Sequence, residues 1–254
     1  ALARLGWARD DVRYIIPTHI HLDHGGGAGF LAQELPQAKV VVYHKAARHL
    51  ANPAKLIEGT RQAFGPNFEE EFGPILPVPQ ERLLAVDEGD HVDLGGRELE
   101  FYHTPGHAYH HIGTLDLKTG ALFCGEALGR YVPEIEAISP SVALPMFDVE
   151  QARETIAKLE RVRPKLLLFA QYGVSRDPER VFRLARESLD SYAGTVRDAL
   201  LQGLSEEEIA RKLEDLERAD VAARGCEPLP GHWLRDYRQA AAGLAAYFRR
   251  NTTG

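Results

Sequence analysis

Three histidines and an aspartate fall within six residues near the start of the chain, and this cluster constrains the protein more than any other feature. The segment reads Thr-His-Ile-His-Leu-Asp-His-Gly-Gly-Gly and contains His19, His21, Asp23 and His24. It follows the segment 12–16, which is apolar except for Arg13 and predicts a buried strand. Alternate side chains of an extended segment share a face, so His19 and His21 should point the same way. A turn after them can bring Asp23 and His24 to a neighbouring point, so that one segment supplies ligands to two adjacent metal positions.

A second stretch of the chain offers a further imidazole. His107 ends the sequence Thr-Pro-Gly-His, directly after the predicted strand 98–103. Imidazole nitrogens and carboxylate oxygens suit zinc, iron or manganese, and these ions need more ligands than one short segment provides. We therefore predict that His107 completes a three-histidine site with His19 and His21.

Several other polar residues are weaker candidates for this site. His110 and His111 follow His107 closely, and we predict that they orient the ligands rather than bind metal. Cys124 lies on a predicted buried strand and is interpreted as a small core residue. Three tyrosines could each donate a hydrogen bond to a developing oxyanion, and the sequence does not choose among them: Tyr109, Tyr131 and Tyr172.

Charge and cysteine content narrow the partners and the compartment. The formal net charge is −7, which argues against a general nucleic-acid binder and favours a small-molecule substrate. The two cysteines lie far apart in sequence, so a cytoplasmic location is the expectation. No run of eighteen apolar residues occurs, so we expect no membrane insertion. The helical end of the chain is expected to pack on the core or on a second subunit of a homodimer.

The chain reads as alternating strands and helices up to about residue 175. The segment 53–79 carries five prolines and predicts a loop-rich insertion with one short helix. Gly95-Gly96 is typical of a hairpin turn. The predicted strands are 39–43, 82–86, 98–103, 112–116, 121–124 and 165–170.

Helix-start signals dominate the second half of the chain. Asp148 is predicted to cap a helix that ends before Pro164, and Asp177-Pro178 marks the next start. Ser205 and Glu208 have the spacing of a capping box. Residues 233–248 form an amphipathic pattern, so everything after 177 is predicted to be helical.

Four motifs in this order resemble the metallo-β-lactamase-fold hydrolases. They are the His-x-His-x-Asp-His segment, the Thr-Pro-Gly-His turn, the strand-end Cys124-Gly125-Glu126 and the strand-end 169–173, and together they cover about residues 10–175. The resemblance implies an α/β fold, an αββα sandwich with a two-metal site at one edge. It implies a core over 1–175, which lacks strands that family members carry before this point, and a helical C-terminal extension over 176–254 packed on that core.

The resemblance also assigns the ligands. His19, His21 and His107 would hold the first metal, and Asp23 and His24 would belong to the second. The chain has Glu126 where the family usually has a bridging aspartate and Gln171 where it usually has a histidine. A neutral amide is a poorer zinc ligand than imidazole. We therefore expect one or two divalent ions, zinc in the first place with manganese or iron as alternatives, and a weakened second site.

The implied chemistry is hydrolysis. A divalent ion held by three histidines can lower the pKa of a water to about 7 and so supply a nucleophile. Asp23 is predicted to act in catalysis by orienting that nucleophile and relaying its proton. Resemblance to glyoxalase II and the lactonases implies a small ester, thioester or lactone substrate. The alternatives are a phosphodiesterase or nuclease, and a metal-binding protein whose degenerate second site, through Gln171, leaves it without hydrolytic activity.

Overall fold

The computed structural model describes residues 2–171, 173–226 and 237–251. The chain divides into two compact units. The first comprises Ala1–His103 with His110–Lys118, and the second comprises Thr104–Tyr109 with Thr119–Gly254. The division into a core over 1–175 and an extension over 176–254 stays a prediction.

A parallel sheet of three strands forms the start of the first unit. Strand β2 (Lys39–Tyr43) lies between β1 (Tyr14–Ile15) and β3 (Leu83–Val86). Its β-branched residues are buried on both faces, since Val40 packs with Ile20 in one cluster and Val41 packs in another. Burial of alternating side chains on opposite faces is expected for a covered parallel strand.

An antiparallel meander follows in the same unit. It consists of β4 (His91–Asp93), β5 (Glu98–His103) and β6 (Ile112–Asp116). Gly95 and Gly96 have φ values of +90° and +84° in the β4–β5 turn, where Asp93 Oδ1 accepts hydrogen bonds from both of their N–H groups. The predicted hairpin turn and both predicted strand ranges, 98–103 and 112–116, are confirmed.

The helices of the first unit correct one prediction. The segment 53–79 contains two α-helices and not one, because its prolines lie outside both of them, before the first, between the two and after the second, where a missing N–H costs little. Pro53 occupies the N-cap position of the first of these two helices. The α-helices are α1 (Leu22–Gly25), α2 (Ala28–Glu34), α3 (Ala47–Ala51), α4 (Ala54–Phe64) and α5 (Phe68–Phe72), with short 3₁₀ helices at Leu2–Leu5, Arg9–Asp11, Gly65–Asn67 and Gln80–Arg82.

The described part of the second unit contains two small β structures and four α-helices. Its strands are β7 (Ala121–Gly125), β8 (Arg130–Val132), β9 (Ala137–Ser139), β10 (Leu166–Phe169) and β11 (Val174–Ser175). Strand β10 pairs parallel with β7 and antiparallel with β11, and β8 pairs with β9 as a hairpin. The helices are α6 (Val149–Val162), α7 (Pro178–Leu201), α8 (Glu206–Ala223) and α9 (Tyr237–Asn251).

The predicted helix starts are confirmed wherever the structure describes them. Asp148 Oδ1 accepts from the Gln151 N–H at 3.0 Å, and Asp177 Oδ1 accepts from the Arg180 N–H at 3.1 Å. The predicted start of the last helix at 233 lies outside the described residues. None of the described helices is long and apolar enough to cross a membrane.

The capping box of α8 gives a first testable prediction. Ser205 Oγ accepts from the Glu208 N–H, and Glu208 Oε2 accepts from the Ser205 N–H at 2.8 Å. Ser205→Ala should lower the free energy of unfolding by about 1 kcal/mol, because it leaves helix-terminal donors without this acceptor. Urea denaturation measures the change. Ser191→Ala, at an exposed position inside α7, is the control and should not destabilise the protein.

Candidate metal centre

The first unit gathers the imidazoles of the histidine cluster. The His19 ring lies 4.7 Å from the His21 ring and 4.1 Å from the His24 ring, measured between centroids. His19 is buried, and its Nδ1 lies 3.1 Å from Thr18 Oγ1. His21 is the N-cap residue of α1, and this short helix carries His24 back towards His19.

Close backbone approach explains the glycine that ends α1. A Cβ added at Gly25 would lie 2.9 Å from Ile20 Cα and 3.2 Å from His19 O. A side chain at this position would therefore push the helix away from the His19 backbone. The glycine is what lets His24 return to the cluster, and this need for space is the physical reason for glycine directly after the histidine motif.

Two further histidines lie beside this cluster. His110 and His111 are buried, and their rings stack on His19 with centroid distances of 6.1 and 5.0 Å. The N–H of Ile112 donates to Thr18 O at 2.7 Å, which ties the start of β6 to the motif. This arrangement fits the predicted role of His110 and His111 in orienting the cluster.

The predicted catalytic residue lies at the edge of the cluster. Asp23 is on α1 with its side chain 52 % exposed, and its Oδ2 lies 3.1 Å from His24 Nε2. An exposed carboxylate beside an imidazole can accept and pass on a proton. Its roles as a metal ligand and in catalysis stay predictions.

In the second unit, helix α6 fixes the turn that carries His107. The Asp148 N–H donates to Gly106 O at 2.9 Å, and Thr155 Oγ1 donates to Pro105 O at 2.6 Å. Both donors belong to α6 or to its cap. The loop residue His107 is thus anchored to a regular element.

His107 lies against Glu126, the residue that directly follows β7. His107 Nε2 is 3.1 Å from Glu126 Oε2, and both side chains are about 95 % buried, with 6 % and 5 % exposed. His107 Nδ1 lies 2.8 Å from Ser141 O, and Ser141 Oγ donates to Glu126 Oε1 at 2.6 Å. A backbone carbonyl accepts only, so Nδ1 carries the hydrogen and a neutral imidazole turns its Nε2 lone pair towards the carboxylate.

This geometry fits a metal ion. A lone pair and a carboxylate oxygen 3.1 Å apart in a buried site repel unless a cation or a proton lies between them. Two atoms 3.1 Å apart can both be reached by one ion with ligand bonds of about 2.1 Å. The donor set, an imidazole and a carboxylate, is one that divalent transition metals accept.

The remaining described candidates of the second unit are either exposed or packed in the hydrophobic core. Gln171 is exposed, so its ligand role stays a prediction, and Tyr172 lies outside the described residues. Tyr131 is buried and stacks on Phe169 at 5.3 Å, and burial raises the pKa of its hydroxyl. Cys124 is fully buried, and burial raises the pKa of its thiol, which agrees with the core interpretation.

Sequence reasoning missed Ser141. This serine contacts both candidate ligands of the second unit, His107 and Glu126. It lies 34 residues after His107, in a segment that has no pattern of metal-binding side chains. Only the three-dimensional contact identifies it, since nothing in its sequence neighbourhood indicates a metal site.

Comparison with known families gives a match over most of the chain. The model of the Metallo-beta-lactamase superfamily matches residues 1–171. The predicted resemblance and the predicted fold class are therefore confirmed. A solved structure with a similar fold is that of an archaeal metallo-beta-lactamase superfamily protein, ST1585 from Sulfolobus tokodaii, with a TM-score of 0.60. That structure is 27 % identical, over 69 % of this chain and 67 % of its own.

Curated relatives are similar at moderate identity. Metallo-beta-lactamase fold-containing protein ST1585 of Sulfurisphaera tokodaii is 29 % identical over 65 % of this chain and 62 % of its own length. A hydroxyacylglutathione hydrolase of Aeromonas hydrophila is 29 % identical over 45 % of this chain and 32 % of its own. The acyl-coenzyme A thioesterase MBLAC2 of Gallus gallus is 29 % identical over 44 % of this chain and 40 % of its own. This chain thus spans less than two thirds of the length of each of these relatives.

Proposed function

Because the chain belongs to the metallo-β-lactamase superfamily, we propose that it is a metal-dependent hydrolase of a small ester, thioester or lactone. Two of the similar proteins carry the names hydroxyacylglutathione hydrolase and acyl-coenzyme A thioesterase, which supports a thioester first. The acidic balance of the chain, −7, disfavours a nucleic-acid substrate.

The proposal assigns the ligands to two sets. His19, His21 and His107 would form the first, and His24 would belong to the second, while Glu126 stands where the family usually has an aspartate that bridges both ions. Asp23 and Gln171 are proposed as further ligands of the second ion, with Gln171 the weakest donor. Zinc is the proposed ion, one or two per chain, and manganese or iron would suit the same donors.

The observation that carries the proposal is the buried His107–Glu126 pair. Its two facing atoms are 3.1 Å apart, and the tautomer set by Ser141 O directs the imidazole lone pair towards the carboxylate. The donation from Nδ1 to a carbonyl leaves Nε2 as the nitrogen that faces Glu126, and this arrangement is typical of a histidine that ligates metal.

The residues of the chain have separate tasks in the proposed reaction. A bound divalent ion would supply Lewis-acid stabilisation and would lower the pKa of a water. Glu126 would reduce the net positive charge of the site, and His107 would be held rigid by its bond to Ser141 O. Asp23, with its side chain half exposed, would accept the proton of the attacking water and return it to the leaving group.

Metal analysis combined with a substrate panel tests this proposal. The purified protein is assayed with a chromogenic ester, an acyl-glutathione thioester, an acyl-coenzyme A thioester, a lactone and bis(p-nitrophenyl) phosphate. We expect turnover of at least one acyl substrate, loss of turnover after chelation, and recovery on adding zinc. The phosphodiester should not turn over.

Two other outcomes would replace the proposal. Turnover of the phosphodiester alone would assign the protein to the nuclease type of hydrolase. Stoichiometric metal without turnover of any substrate would assign a metal-binding protein without hydrolytic activity.

A cytoplasmic location, a homodimer, and the absence of nucleic-acid and membrane partners are likewise proposals, and sedimentation of the purified protein tests the dimer.

A further inference from the structure

We propose that Ser141 is a positioning residue that orients both His107 and Glu126 and restricts Glu126 to metal binding through Oε2. This inference rests on the proposed function, because it assumes a metal at these ligands. Its evidence lies within the second unit alone. One residue contacts the two candidate ligands through different groups, its backbone carbonyl and its side-chain hydroxyl.

The backbone carbonyl of Ser141 fixes the tautomer and the ring orientation of His107. It lies 2.8 Å from His107 Nδ1, so it accepts the hydrogen of that nitrogen and leaves the lone pair on Nε2. A fixed tautomer also fixes the plane of the ring. Outer hydrogen bonds of this type raise the basicity of a ligand and hold its orientation.

The side-chain hydroxyl of Ser141 fixes the orientation of the Glu126 carboxylate. It donates to Glu126 Oε1 at 2.6 Å, while Oε2 is the oxygen that faces His107 Nε2 at 3.1 Å. Glutamate has one more rotatable side-chain bond than aspartate, and fixing such a bond costs conformational entropy when metal binds. Ser141 removes that freedom in advance. Its hydrogen bond to Oε1 also disfavours a bidentate mode, in which both carboxylate oxygens would bind the same ion.

A small cavity lined by His107, Glu126 and Ser141 explains why this contact matters. It has a volume of about 20 Å³, and its walls are mostly apolar, with Leu128, Phe147 and Ile156 among them. Of the described residues that line it, Ser141 carries the only side-chain hydroxyl. Removing this donor would let the carboxylate rotate towards a wall that solvates its charge poorly.

Two matched variants isolate the hydroxyl. Ser141→Thr keeps it, and Ser141→Val replaces it with a methyl group in a side chain of nearly the same shape. Cobalt affinity is measured by chelator competition on the full chain, and the cobalt absorption spectrum reports the coordination. We expect Ser141→Thr to bind close to wild type and Ser141→Val to bind about 10- to 100-fold more weakly, with an altered spectrum.

The outcomes separate this inference from the proposed function. Equal affinities and spectra for the threonine and valine variants, with a metal-binding wild type, would overturn the role of Ser141 and leave the hydrolase proposal intact. A wild-type protein that binds no cobalt would overturn both. Thermal melting of the metal-free variants shows whether both are folded, and a proton-nitrogen spectrum of His107 checks that Nδ1 still carries its hydrogen.

Discussion

His107→Ala should lower the rate of hydrolysis by about a thousandfold or more. The variant removes an anchored, buried imidazole and leaves Glu126 as the only ligand from its pair. A metal that stabilises transition-state charge contributes several kcal/mol, and each 1.36 kcal/mol corresponds to a tenfold change in rate. The measurement is kcat/KM on the best substrate of the panel, together with the metal content of the dialysed protein.

A surface histidine provides the matched control for this experiment. His91 is 38 % exposed and pairs with Glu98 at 3.0 Å on β4 and β5. His91→Ala should leave the metal content and kcat/KM near wild type, because it makes a screened surface contact. Retention of full activity by His107→Ala would show that this imidazole is not a ligand, and the proposed metal centre would have to be abandoned.

The sequence predicted the regular elements well where local signals agree with the tertiary environment. Strands β5 and β6 were placed to the residue, because their apolar patterns end at clear turns. The helix starts at Asp148 and Asp177 were found for a similar reason, since a capping side chain acts on its own helix. The prediction of a single short helix in the proline-rich segment 53–79 was wrong, because proline interrupts a helix but is also common at the start of one.

The candidate site was predictable only in part. The donors of the histidine cluster are close in sequence, so a local pattern reveals them, and the structure does bring His19, His21 and His24 together. The contact between His107 and Glu126 joins residues far apart in the chain, and resemblance to a family suggested it rather than spacing. Ser141 has no local pattern at all, because its role follows from two hydrogen bonds that form only in the folded chain.

The turn before His107 can be formed only with a glycine at position 106. Gly106 has a φ of +126°, a conformation that residues with a Cβ rarely adopt. A Cβ at this position would lie 2.6 Å from Ala152 Cα and 2.7 Å from Ala152 N, both of them backbone atoms of α6. The carbonyl of Gly106 accepts from the Asp148 N–H at the same helix end. Glycine is therefore required both by the dihedral angle and by the close approach of the helix.

Gly106→Ala should therefore lower the free energy of unfolding of the metal-free protein by about 3 kcal/mol or more, from the strained dihedral angle and the clash with α6 together. Urea denaturation after chelation measures this, so that lost metal binding does not contribute to the change. Gly194→Ala is the matched control, because Gly194 lies inside α7 with no atom within 4 Å of the added Cβ, and it should stabilise the protein by about 1 kcal/mol. If Gly106→Ala unfolds within 1 kcal/mol of wild type, the turn can relax without moving α6, and the rigid anchoring of His107 argued from this contact would be wrong.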